Sequence, residues 1–197
     1  MIKYANKQDK SELFNKNKNI IFDLLKYLPV TLWQSNDYEA DDIIYTLCKD
    51  LQSEEIIVLS NDSDFIQLLQ EFDNIKIYNP IKKTYMTKPM YHYVVWKSLA
   101  GDKSDNIPKI ISDKKAEVLA SNPEKLRIFL TNEEIRANFS INYELIKFKC
   151  IDYNDITITY GSKNYDILFD KFKEYDFKSL LNNKTKDTFI STFENLS

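Results

Sequence analysis

Seven carboxylates fall in three short motifs: Glu39, Asp41 and Asp42 in Glu39-Ala40-Asp41-Asp42, Asp62 and Asp64 around Ser63, and Asp102 and Asp105 in GDKSDNIP. No histidine or cysteine stands among them. A site built only from oxygen donors selects hard cations such as Mg²⁺ or Mn²⁺. Two such ions about 4 Å apart activate a water and stabilise the leaving oxygen of an in-line phosphoryl displacement, so hydrolysis needs no protein nucleophile. Metal-assisted cleavage of a phosphodiester is the chemistry these residue types suit.

Each motif alone also has a plainer explanation. Glu39 and Asp42, three apart on a helix, project to one side and repel unless something cationic sits there. Acids in a first helical turn are nevertheless common, because they cap it and suit its dipole. Asp62-Ser63-Asp64 follows the apolar run IIVLS, at the carboxyl end of a parallel strand, where α/β proteins bind ligands. It equally suits an Asx turn with Asp62 as a helix cap. A rival functional reading is the aspartate pair of a phosphatase that forms an aspartyl-phosphate. That chemistry usually wants Thr or Val where this chain has Ile66, and a distal lysine that the sequence does not locate. In the third motif the two acids are again three apart, and Gly101 permits a tight turn from helix to loop.

The elements that must position these motifs are readable from periodicity. A helix runs from about Asn17 to Tyr27, with an apolar stripe of Ile20, Ile21, Leu24, Leu25 and Leu28 that Pro29 stops, and a short strand, Val30 to Trp33, follows. Tyr38 to Leu51 reads as a second helix, with Ile44, Leu47, Cys48 and Leu51 at core spacing. IIVLS, Ile56 to Ser60, has the pattern of a strand buried on both faces of a parallel sheet. Asp64 to Leu69 is helical, Ile75 to Tyr78 a strand, and Met90 to Leu99 helical. Beyond Gly101 come helices at Asp113–Ser121, Pro123–Leu130, Glu133–Lys149 and Tyr165–Leu181. The division is placed near Gly101, between an α/β core and a mostly helical remainder.

Composition narrows the classes. The 197 residues, 43% hydrophobic and 14% aromatic, suffice for one sizeable core or a core plus a small helical appendage. No run approaches the roughly 18 apolar residues of a membrane span, and MIKYANKQDK lacks a secretory core, so the expected location is the cytoplasm. With only Gly101 and Gly161 there is no glycine-rich phosphate loop, which removes kinases and dehydrogenases. His92 has no Ser, Cys or acidic partner nearby in sequence and reads as a packed or surface histidine. Cys48 and Cys150 read as buried thiols rather than a disulfide. Net charge is −3 but uneven: residues 37–73 hold eleven carboxylates against Lys49 alone, between lysine-rich flanks. An acidic centre for cations with basic edges for phosphates suits a polyanionic substrate, and Lys82 and Lys83 are candidate contacts on one such edge.

The motifs YEADD, LSNDSDF and GDKSDNIP, in that order and spacing, resemble the structure-specific 5′ nucleases, the family of flap endonucleases and of the 5′–3′ exonuclease domains of bacterial DNA polymerases. Within it the similarity is to the phage ribonuclease H branch, from about Tyr4 to the C-terminus. IFDLLKYLP, NIKIYNPIKKTY, LTNEEI and CIDYNDI support it. The resemblance implies that Glu39, Asp41, Asp42, Asp62 and Asp64 hold the metal nearer the scissile phosphate, directly or through water, and that Asp102 and Asp105 bear on a second; relatives accept other residues at the position of Asp41. It also implies a helix–loop–helix that grips duplex backbone. Here the matching KIISDKKAEVL has no glycine in the turn, and Ser112, Lys114 and Lys115 are the candidate phosphate contacts. The first residues resemble the end of a basic arch, with Tyr4, Lys7 and Lys10 as candidate contacts to a 5′ single strand.

The expected fold is therefore α/β: a partial PIN-like 5′ nuclease core with a parallel sheet over residues 1–101, then a mostly helical DNA-binding domain over 102–197. The expected function is metal-dependent 5′–3′ exonuclease or flap endonuclease action with ribonuclease H-like activity, on 5′ ends or flaps of DNA or on RNA in RNA–DNA hybrids, for primer removal during replication. Two Mg²⁺ ions are the expected cofactors, replaceable by Mn²⁺. Replication proteins are expected partners, a membrane is not, and the location would be a host cytoplasm if the chain is phage-encoded. Relatives begin with two strands that each carry an aspartate, and this sequence starts after both. The strands Val30–Trp33 and Ile56–Ser60 are thus expected to lack a neighbour, and the alternative reading is a catalytically deficient nucleic-acid-binding fragment that needs a separate polypeptide supplying those strands. A single-domain ribonuclease of the PIN type is a third reading, against which the helical remainder argues.

Overall fold

The computed structural model describes residues 7–195; Tyr4 and the side chain of Lys7 lie outside that description. In chain order the elements are α1 (Lys7–Leu25), β1 (Thr31–Gln34), α2 (Ala40–Asp50), β2 (Ile56–Leu59), α3 (Ile66–Glu71), β3 (Ile75–Asn79), β4 (Thr84–Tyr85), α4 (Tyr93–Ala100), α5 (Asp113–Ala120), α6 (Pro123–Phe129), α7 (Glu133–Ile146), β5 (Thr157–Tyr160), α8 (Tyr165–Glu174) and α9 (Asn183–Glu194). The chain divides into a unit of residues 37–152 and a unit of residues 1–36 with 153–197, so Gly101 falls inside the first.

In the larger unit β2 and β3 pair in parallel, Ile56 against Ile75 through Leu59 against Tyr78, and β4 lies antiparallel on β3. α2 and α3 cover one side of this sheet. Tyr45, Cys48, Phe65, Leu68 and Phe72 close with Val58, Ile77 and Phe148 into one apolar cluster. Leu68 and Ile77 have no exposed surface, and full burial of such a side chain stabilises by about 1.5–3 kcal/mol. A second cluster joins α4 to α5 through Leu99, Ala116 and Leu119, and a third joins α4 to α7 through Val94, Ile107 and Ile146. Asn142 of α7, wholly buried, donates to the carbonyls of Ser98 and Pro108 at 2.8 and 2.9 Å and so ties down both ends of the GDKSDNIP loop.

In the smaller unit β1 and β5 form an antiparallel pair, Thr31 against Tyr160 through Gln34 against Thr157. Leu24 and Leu28 pack with Leu168, Phe169 and Phe172. Phe189 of α9 meets the rings of Phe169 and Phe172 edge-on, a favourable aromatic geometry.

Several expectations need correction. The strand near Val30–Trp33 has a partner after all, β5, which its short sequence did not announce. β2 is not buried on both faces: Val58 is covered, but Ile57 and Leu59 are 51% and 71% exposed. Helices pack on one side of it, and apolar composition reports residue type rather than what covers it. α1 runs from Lys7, ten residues before the expected start at Asn17, and stops at Leu25, where Tyr27 and Leu28 bond only three residues back, ahead of Pro29. α7 ends at Ile146, because Lys147 turns extended (φ −71°, ψ 127°). The expected helix to Leu181 breaks at Glu174, with Asp176 at φ 58°, and α9 follows. Cys48 is buried and free as expected, whereas Cys150 is exposed and free.

Candidate metal centre

Each acidic motif sits at the end of an element: at the start of α2, just after β2 and just after α4. Glu39 is the residue before the first turn of α2 and makes no capping hydrogen bond with its side chain, so capping does not explain its carboxylate. Asp41 and Asp42 occupy that turn. Asp42 accepts a hydrogen bond from the Lys149 amide at 2.7 Å. Asp62 and Asp64 follow β2. The Asp64 amide donates to the Asp62 carboxylate at 2.9 Å, so Asp62 does cap the short helical turn Ser63–Phe65 and presents its acid at the same time. Asp102 and Asp105 sit in a loop closed by backbone bonds between Asp102 and Ile107 of 3.0 and 2.7 Å. Gly101 enters that loop at φ +76°, and a Cβ there would lie 2.7 Å from the Lys109 amide nitrogen. Only glycine suits that place.

The three motifs converge. Glu39, Asp41, Asp42, Asp62, Asp64 and Asp105 line one cleft of ≈ 630 Å³, together with Asp37 and the segment Glu144–Lys149. Asp64, Asp102 and Asp105 each offer an oxygen within 4.8 Å of the others, a group able to hold a cation. Six of the seven predicted carboxylates thus line the cleft, and Asp102 stands beside them through Asp64 and Asp105. Its electrostatics show the strain of assembling them: burial, then the charges of Asp62, Glu39, Asp64 and Asp42, push the Asp41 carboxyl up to about 6.

One cation answers part of that charge. Lys97, on the last turn of α4, hydrogen-bonds to Asp64 and lies 2.6 Å from an Asp102 oxygen. Burial alone would push its ammonium down, yet the hydrogen bonds to Asp102 and Asp64 hold it above the ordinary lysine range. The Lys97 bond, then that from Ser104, holds Asp102 well below the usual carboxylate range. Tyr93 donates to the same Asp64 oxygen at 3.1 Å. The buried Gln67 donates to the Asp64 and Ile146 carbonyls and accepts from the Phe148 amide at 3.1 Å, fastening the wall at 146–148 to the second motif.

Comparison with known proteins joins this geometry to a lineage. Residues 3–96 match the family described as 5′-3′ exonuclease, N-terminal resolvase-like domain. The chain is 29% identical over 164 residues to the ribonuclease H of Enterobacteria phage T4, covering 72% of this chain and 53% of that protein. It is 31% identical over 194 residues to a 5′-3′ exonuclease of Buchnera aphidicola, covering 79% of this chain and 66% of that protein. A 5′-3′ exonuclease of Aquifex aeolicus is 27% identical over 194 residues, with 82% and 64% covered. These matches make the chain similar to 5′ nucleases, with residues 3–96 carrying the likeness to their N-terminal domain. These relatives are nucleases, hydrolases of phosphodiester bonds, and the chain spans about half to just under two thirds of their lengths.

The basic residues predicted from the sequence as phosphate contacts fall elsewhere than the acids. Lys82 and Lys83 form the exposed turn between β3 and β4, with Lys83 at φ 55°. Ser112 precedes α5 and makes no side-chain cap, Lys114 is exposed on α5, and Lys115 lies 4.9 Å over the Phe129 ring. Lys10 is exposed on α1. None of these lines the acidic cleft; Lys147 and Lys149 do. Sequence reading missed that pair by running α7 through Lys149. The alternation Lys147-Phe148-Lys149, with the phenylalanine buried and both lysines exposed, was the available signal.

Proposed function

We propose that this chain hydrolyses phosphodiester bonds at the 5′ ends or flaps of DNA, and of RNA in RNA–DNA hybrids, as in primer removal. The observation that carries the reading is the convergence of seven carboxylates, with no histidine or cysteine, in and beside one cleft whose like charges call for divalent cations. Glu39, Asp41, Asp42, Asp62 and Asp64 would hold one Mg²⁺, directly or through water, and Asp102 and Asp105 a second, with Mn²⁺ as a substitute. When bound, such ions supply an ionised water at neutral pH and a counter-charge for the leaving oxygen. The chain's own part is positional. Tyr93, Lys97 and Gln67 fix the second motif, Gly101 and Asn142 fix the third, and Lys147 and Lys149 draw the phosphate backbone to the cleft. Further out, Ser112, Lys114 and Lys115 on the α4–α5 helix–loop–helix would grip duplex, Lys82 and Lys83 would add phosphate contacts, and Tyr4, Lys7 and Lys10 would meet the 5′ strand.

The test is the double variant Asp62→Asn with Asp64→Asn on a 5′-labelled flap substrate in Mg²⁺. Cleavage should disappear while DNA binding without metal is unchanged or tighter, because two charges that repel phosphate are gone. Cleavage at the unsubstituted rate would overturn the metal-site reading.

A second reading, nucleic-acid binding with little cleavage until a separate polypeptide joins, is favoured by one observation. Among the described residues β2 pairs only with β3, and its outward Ile57 and Leu59 are exposed. Such an edge accepts an added strand. Full activity of the purified chain alone would dismiss it.

A further inference from the structure

Lys97 is 5% exposed, a depth at which lysines are rare unless paired. Its ammonium bonds Asp64 and Asp102, which belong to different motifs, and with Asp105 these same carboxylates form the group whose oxygens all lie within 4.8 Å. The lysine charge thus already engages two of the carboxylates that a metal ion would use. Without it, Asp64 and Asp102 would face each other unscreened in a half-buried site, beside Asp41 already strained by its acidic neighbours.

We propose that Lys97 is a resident counter-cation of the acidic cleft: it holds Asp64 to Asp102 when no metal ion is bound, and it competes with divalent ions for the same two carboxylates. This rests on the cleft being a metal site. The lysine keeps the metal-free fold intact at the cost of affinity, so that divalent ions bind reversibly. It is a positioning residue, acting through Asp64 and Asp102 rather than on the substrate.

The experiment measures Mn²⁺ binding by electron paramagnetic resonance and calorimetry, together with thermal midpoints in EDTA and in Mn²⁺, for the unsubstituted chain, Lys97→Met and Lys97→Gln. Both substitutions should lower the midpoint in EDTA and enlarge the upward shift on adding Mn²⁺. Mn²⁺ affinity should tighten by about tenfold or more, since a unit charge about 4 Å from a divalent ion opposes binding strongly even in a water-like medium. A variant that folds only when Mn²⁺ is present supports the proposal equally. Unchanged or weaker affinity in a folded variant overturns it while leaving the metal site standing. Failure of both variants to fold even in Mn²⁺ overturns it too, because the lysine would then do more than supply charge. If neither the unsubstituted chain nor the variants bind Mn²⁺, the metal-site reading itself fails, and this inference with it.

Discussion

Replacing Asp41 by Asn removes a charge that the fold holds at a cost. The carboxyl titrates at about 6 in the folded chain against 3.8 in the absence of structure, so between those values the folded state binds more protons. Stability of the metal-free protein therefore falls as pH rises from about 4 to about 6, and the whole loss is present above that. Taken at face value, a rise from 3.8 to about 6 would cost about 3 kcal/mol. Asp41 is only partly buried, and solvent screening should reduce this to about 1 kcal/mol. Asp41→Asn should thus raise the thermal midpoint in EDTA at pH 8 by about 2–4 °C, with the gain vanishing towards pH 4. In saturating Mg²⁺ the order should reverse, because only the unsubstituted chain keeps the ligand. Circular dichroism melts at the two pH values, with and without metal, decide it. A variant less stable than its parent at pH 8 in EDTA, or a gain independent of pH, would refute the account of Asp41 as a strained member of a cation site.

Charge reversal at Lys147 and Lys149 should weaken DNA binding and slow cleavage. It should also flatten the log–log dependence of binding on salt, by up to about 0.9 in slope for each phosphate no longer neutralised. Reversal at Lys82 with Lys83, or at Lys114 with Lys115, should flatten the slope in the same way; an unaltered slope for any pair assigns it to solvated surface. Gly101→Ala forces a Cβ to within 2.7 Å of the Lys109 amide nitrogen at φ +76°, and should destabilise by about 1–3 kcal/mol in urea unfolding while loosening Mn²⁺ at the adjacent Asp102. A neutral result would mean the loop re-forms in another conformation.

The acidic motifs were legible because each is local. Two acids three residues apart at a helix start, or a pair just after an apolar strand, carry their meaning in a few residues, and the segments holding them, α2, β2 and α4, are strongly patterned. The turn at Gly101 was legible for the same reason. What escaped were interactions between residues far apart in sequence. β1 and β5 are each four residues long, and nothing in either names a partner more than a hundred positions away. Gln67 and Asn142 look like ordinary surface amides until α3 and α7 are packed, when each becomes a clamp on a distant backbone.

By itself, the amino-acid sequence determined the chemistry available: oxygen ligands, hard cations, a phosphodiester-sized task, and the order of the segments that carry them. Tertiary structure alone decided which charges meet. Lys97 reads in sequence as one of five lysines in a basic flank, and Lys147 and Lys149 as the end of a helix. Packing of α4 buries the first between two aspartates, and the extended turn at Lys147 aims the others at the cleft. The physical reason is that helix, strand and turn preferences act over a few residues, whereas an electrostatic site is a sum over space, set only when the cores have fixed which faces touch.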